Sequence, residues 1–98
     1  MTINKISNGS TLTLVVEGRL ETITAPELEA VVKNEIDGVT ELIFDFANLD
    51  YISSAGLRVL LSAQKKMMVQ GSMKVINSND IVTEIFSVTG FDDILTLE

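Results

Sequence analysis

Apolar positions along the chain follow two rhythms. Residues 2–6 alternate weakly, and beyond the tight-turn pair Asn8-Gly9, Leu12, Leu14 and Val16 alternate with Thr11, Thr13 and Val15. A period of two with a turn signal between predicts an antiparallel hairpin with one apolar face. Past Gly18 the period lengthens: Leu28, Val31, Val32 and Ile36 fall at helical spacing behind Thr24 and Glu27, a capping-box pair with Pro26 in the first turn, and Gly38 stops the helix. Residues 41–46 hold the nearly continuous run Leu42-Ile43-Phe44, which predicts a central strand covered on both faces. Residues 48–54 read as a short polar-rich connection. Residues 55–69 read as a second long helix, with Leu57, Leu60, Leu61 and Met68 on one stripe broadened by Val59, Ala63 and Met67, and Gly71 at its end. A strand over 73–76 follows, then Ser78, Asn79 and Asp80 as caps for a third helix carrying Ile81, Val82, Ile85 and Phe86. Gly90 closes that helix, and residues 94–97 form a last strand or packed tail. The order ββαβαβα, with that possible final strand, predicts the α/β class: a mixed central sheet of four to five strands, with parallel crossovers and packed helices.

Composition narrows the chemistry. The 98 residues suit one domain, expected over 1–98, and 46% hydrophobic with 21% charged residues suits a folded globule. There is no cysteine and no histidine. Structural disulfides, thiolate metal sites, the usual general base and the commonest metal ligand are thereby excluded. The net charge is −7 and the closest thing to a basic cluster is Lys65-Lys66, so nucleic acid is not an expected partner and an anionic membrane is disfavoured. Residues 1–6 lack the features of a signal peptide, and no apolar run reaches the length of a membrane span. A cytoplasmic protein with no membrane insertion is the expectation.

The informative segment is Asp45-Phe46-Ala47-Asn48-Leu49-Asp50-Tyr51-Ile52-Ser53-Ser54-Ala55-Gly56-Leu57-Arg58. It follows a predicted strand and opens a predicted helix, so Ser53 and Ser54 fall at a helix entrance. Free N–H groups and the positive end of the helix dipole accommodate a phosphate there. Ser54 also reads as a plain N-cap. Gly56 suits either close approach by a partner or packing of the helix start, and Leu57 either a docking contact or the core. Arg58 suits partner steering or a solvated face. Glu21 and Asp50 could be paired for acid–base work, though without histidine or a pocket signal they read as turn and surface residues. Met67, Met68 and Met73 read as core filler and Asp92-Asp93 as a solvated turn. No Gly-rich phosphate loop, metal-ligand spacing or nucleophile–base pair occurs, so no catalytic residue, cofactor or metal is expected and the chain does not read as an enzyme.

The run Ser53-Ser54-Ala55-Gly56-Leu57-Arg58 resembles the Asp-Ser-Ser-Gly-Leu pattern of STAS domains, within them the anti-sigma factor antagonists, and Gly18-Arg19-Leu20-Glu21 resembles that family's Gly-x-Leu-Asp stretch. The resemblance runs over nearly the whole chain. Two positions depart from it: Glu21 and Ser53 stand where the family commonly has aspartate. The resemblance implies a single STAS domain and a bacterial partner switch in transcription regulation. The unphosphorylated protein docks on an anti-sigma factor that is also a serine kinase, releasing a sigma factor. Phosphorylation at Ser54, or alternatively Ser53, ends the docking, and a PP2C-type serine phosphatase resets it. It also implies partner contacts at Glu21, Asp50, Ser53, Ser54, Gly56, Leu57 and Arg58. The alternative within the family is a constitutive, unphosphorylated subunit of a membrane-lipid transport or signalling complex.

Overall fold

Gly9 and Ser10 join β1 (Thr2–Asn8) to β2 (Thr11–Leu20) in antiparallel register, Asn8 opposite Thr11 and Thr2 opposite Glu17. Gly9 takes φ 63° at the first central position, where hairpin turns with the matching twist favour glycine. Asn8 therefore stays in its strand, and the turn lies one residue later than the Asn8-Gly9 pair suggests. The computed structural model describes all 98 residues, Met1–Glu98.

After the hairpin come α1 (Ala25–Glu35), β3 (Glu41–Asp45), β4 (Leu49–Ile52), α2 (Ser54–Gln70), β5 (Ser72–Ile76), α3 (Asp80–Thr89) and a 3₁₀ turn at Phe91–Asp93. The mixed sheet has five strands in the order β1-β2-β3-β5, with β4 also on β2. The ten residues of β2 are long enough to serve two parallel partners in succession. Thr11 to Val15 pair with β3, and after a register shift between Gly18 and Arg19, Arg19 and Leu20 pair with Tyr51 and Ile52 of β4. Gly18 makes that shift at φ 101°, a conformation side chains resist.

β4 corrects the expectation of a polar connection over 48–54. Four residues are too few for a period to register, and only Leu49 and Ile52 are buried. A tertiary contact, the far end of β2, makes the strand. β3 corrects a second expectation. Leu42 and Phe44 are fully buried, but Ile43 between them is half-buried. Its neighbours on that face are Thr13 and Lys74, so the sheet is sealed on one face only.

The sealed face supports a wholly apolar core. Leu14, Val16, Leu42, Phe44 and Val75 of the sheet meet Leu28 of α1, Leu60 and Met67 of α2, and Val82 and Phe86 of α3. Met67 and Met73 belong to it as expected. Met68 does not: it is exposed, and Leu61 is only half-buried. The buried stripe of α2 runs through Leu57, Leu60, Ala63 and Met67, and Met68 falls off its edge.

The helix ends explain how the elements are pinned. Thr24 precedes α1, but no capping box forms. Its hydroxyl accepts from the Glu21 N–H at 2.9 Å and donates to the Arg19 carbonyl at 2.7 Å, tying loop 21–24 to the end of β2. Asn79 does cap α3, accepting from the Val82 N–H at 2.8 Å while its amide donates to the Leu49 carbonyl of β4 at 2.9 Å. Gly90 ends α3 at φ 78°. Beyond the 3₁₀ turn, Leu95 is buried and Leu97 makes a single parallel bridge to Val75, so residues 94–97 are a packed tail tied to the sheet edge.

Candidate functional site

The parallel pairing of β2 with β4 decides where the two sequence segments meet. Leu20 and Ile52 lie side by side, and the Ser53 N–H donates to the Leu20 carbonyl at 2.8 Å. Gly18-Arg19-Leu20-Glu21 and Ser53-Ser54-Ala55-Gly56 are thus one local structure, though more than thirty residues of chain separate them.

Ser53, with φ −101° and ψ 178°, is the N-cap of α2, and Ser54 is the first helical residue. The plain N-cap reading of Ser54 is thereby corrected: the backbone turns helical one residue earlier than the 55–69 pattern suggests. The Ser53 carbonyl accepts the first helical bond, from the Leu57 N–H at 2.9 Å. The N–H groups of Ser54, Ala55 and Gly56 have no acceptor, as expected of a first turn. Ser54 is exposed. The Ser53 hydroxyl is sealed from solvent and has no partner. Two adjacent serines thus differ completely in access.

Gly56 has a packing reason. A Cβ there would lie 2.7 Å from Leu20 Cγ and 2.8 Å from Ile52 Cγ1, so only glycine lets α2 begin this close to the β2–β4 pair. Leu57 is 5% exposed and belongs to the core. Arg58 is exposed, one turn beyond Ser54, and no carboxylate lies within 4 Å of it. Glu21 is half-exposed and held by Arg19 at 2.7 Å. Asp50 points from β4 into solvent with no ion pair. Glu21 and Asp50 line neither of the two surface concavities. No cluster of three carboxylates could hold a metal ion.

Two features escaped the sequence reading. Ile23, in the loop that Thr24 pins, is 84% exposed beside Thr22, which shares a concavity with Ala55 and Arg58. A lone apolar residue off the helical period, in Glu21-Thr22-Ile23-Thr24, was the available signal. Arg19 stacks over the Tyr51 ring, 4.6 Å from its centroid. That contact depends on β4 being a strand, so no local pattern announced it.

With this geometry in view, known proteins give a consistent comparison. The family model described as STAS domain matches residues 2–98. A Bordetella bronchiseptica protein named as the anti-sigma factor antagonist BtrV is 36% identical over 93 residues, covering 93% of this chain and 78% of that one. Among solved structures, a Thermotoga maritima protein described as an anti-sigma factor antagonist superposes with TM-score 0.90 at 18% identity, over 97% of this chain and 84% of that one. The anti-sigma factor antagonist SpoIIAA in its unphosphorylated form gives 0.84 at 19% identity, over 99% and 88%. SpoIIAA of Bacillus in its phosphorylated form gives 0.76 at 18% identity, over 99% and 91%.

Proposed function

Because the chain belongs to the STAS domain family and resembles relatives named as anti-sigma factor antagonists, we propose that it is a partner-switching anti-sigma factor antagonist controlled by phosphorylation of Ser54. Unphosphorylated, it docks on an anti-sigma factor with serine kinase activity and frees the sigma factor. A PP2C-type phosphatase restores the docking form. Glu21, Asp50, Ser54, Arg58 and the exposed Ile23 make up the docking face. Ser53, Gly56 and Leu57 shape it from beneath.

The observation that carries this reading is the contrast between the two serines. Ser54 is exposed beside three unused N–H donors, while the Ser53 hydroxyl is sealed. A phosphoryl group on Ser54 meets donors and the positive end of the α2 dipole, so the fold tolerates it. The same group adds a charge of about −1.5 to −2 at the centre of the docking face. A differential of about 2.7 kcal/mol weakens binding a hundredfold, within reach of one desolvated dianion.

Phosphopeptide mass spectrometry on protein recovered from its host tests the site. Trypsin releases residues 34–58 as one peptide, and fragmentation between Ser53 and Ser54 locates the phosphate. Phosphate on Ser54 is expected. Phosphate on Ser53 alone would show that the sealed hydroxyl is reached and the assignment is wrong. No phosphate under any growth or stress condition, with phosphatases inhibited, would replace the switch by a constitutive STAS interaction subunit.

A further inference from the structure

The charge of this molecule is unevenly spread. The chain is acidic overall, with net charge −7. Yet α2, seventeen residues long, contains Arg58, Lys65 and Lys66 and no carboxylate. Of the seven cationic side chains in the sequence, Lys5, Arg19 and Lys74 are neutralised by Glu35, Glu21 and Glu98. The other four, Lys33, Arg58, Lys65 and Lys66, have no ionic or hydrogen-bonded partner, and all lie on the contacting helices α1 and α2.

Three of these four line a groove between the two helices. Its larger part, about 280 Å³, has the buried Val32, Val59 and Ala63 as its floor and the exposed Lys33, Ser62 and Lys66 at its rim. Glu29 and Val59 are shared with the adjoining concavity, which carries Arg58. Glu29 is the one carboxylate in the groove, so the lining keeps a net positive charge. Residues four apart share a helix face. Ser54, Arg58, Ser62 and Lys66 therefore form a single exposed row that starts at the proposed phosphorylation site and runs along the groove.

We propose that the α1–α2 groove docks an acidic segment of the partner protein, its carboxylates lying along Arg58, Lys33 and Lys66 and its apolar side chains over Val32 and Val59. The proposal rests on the switch reading for the partner's identity, but not for the charge or shape of the groove. Free cations concentrated on one face of an acidic protein steer an acidic partner there and repel it elsewhere. The placement also gives the phosphate a second mode of action. A dianion on Ser54 sits at the head of the row, where it competes for Arg58 and repels the incoming carboxylates.

Two experiments separate the groove from the switch. In the first, the amide NMR spectrum of the full chain is followed while an octaglutamate peptide, an octalysine peptide or inorganic phosphate is added. The expected result is that octaglutamate alone shifts the Lys33, Ser62 and Lys66 amides, that its affinity falls steeply with added salt, and that the Lys33→Glu/Lys66→Glu double variant loses the effect while keeping its spectrum elsewhere. Absence of shifts at the groove, or equal shifts in the double variant, would overturn the proposal. Shifts from phosphate alone would make the groove a small-anion site and overturn it as well. In the second, association with the cognate serine kinase is timed. The double variant should associate about tenfold more slowly at low salt. A wild-type rate would overturn the groove and leave the Ser54 switch standing. A slowed double variant beside a Ser54→Asp protein that docks normally would do the reverse.

Discussion

Ser53 and Ser54 show how much one step along a backbone changes. The N-cap serine keeps its hydroxyl sealed from solvent, and the first helical serine is exposed. A negative group at the first helical position is favourable, by about 0.3–1 kcal/mol at an exposed site. Ser54→Asp should therefore melt within about 8 °C of wild type by scanning calorimetry, given about 4–8 °C per kcal/mol in a domain this size. A larger fall would mean that the Ser54 environment is structural. Gly56 behaves oppositely. Alanine there gains about 0.5–1 kcal/mol of helix preference but drives its methyl into Leu20 and Ile52, an overpacking that costs about 1–3 kcal/mol. The balance favours the cost, and Gly56→Ala should lower the melting temperature by about 5–10 °C. An unchanged melting temperature would mean that the β2–β4 pair yields easily.

Among the elements, β4 and α3 are joined by one side chain. Asn79 caps α3 and also donates to the Leu49 carbonyl. Loss of a cap costs about 0.5–2 kcal/mol, and an unpaired, partly buried carbonyl adds about 1 kcal/mol or more. Asn79→Ala should thus lose about 2 kcal/mol in urea unfolding with an unchanged slope. Asn79→Asp keeps the capping oxygen without the donor and should fall between. Equal losses for both variants would show that only the donor matters. These joints mark the limit of what the sequence discloses. The long helices and the hairpin are legible because Leu28, Val32, Leu60 and Leu14 repeat often enough to show a period. The serine-bearing helix entrance is legible because a strand pattern, two serines and a helical stripe follow in order. β4 is not, since Leu49 and Ile52 are the only buried residues in four and their partner strand lies some thirty residues away. The inward Thr24 hydroxyl is likewise invisible, because Thr24 and Glu27 have the right types for a capping box and only the loop's return to Arg19 decides otherwise. The family pattern favours Ser54 over Ser53 in the sequence, but the sealed Ser53 hydroxyl beside an exposed Ser54 becomes visible only once β2 and β4 are paired.

The whole molecule is a one-sided sandwich whose apolar core fixes the polar end at which β2, β4 and the start of α2 meet. The core contains no buried polar residue, so a charge change at the α2 entrance need not propagate through it, and switching can occur by direct repulsion at the surface. This economy of movement predicts that Ser54→Asp leaves amide shifts in β1, β3 and β5 unchanged; widespread shifts would indicate a conformational relay instead. The most direct measurement is a calorimetric titration of the proposed partner, an anti-sigma factor with serine kinase activity, with wild type, Ser54→Ala and Ser54→Asp proteins. Wild type and Ser54→Ala should bind with the same affinity, with Ser54→Ala resisting release when ATP is added, and Ser54→Asp should bind about a hundredfold more weakly. Equal affinity for Ser54→Ala and Ser54→Asp would contradict gating by charge at Ser54.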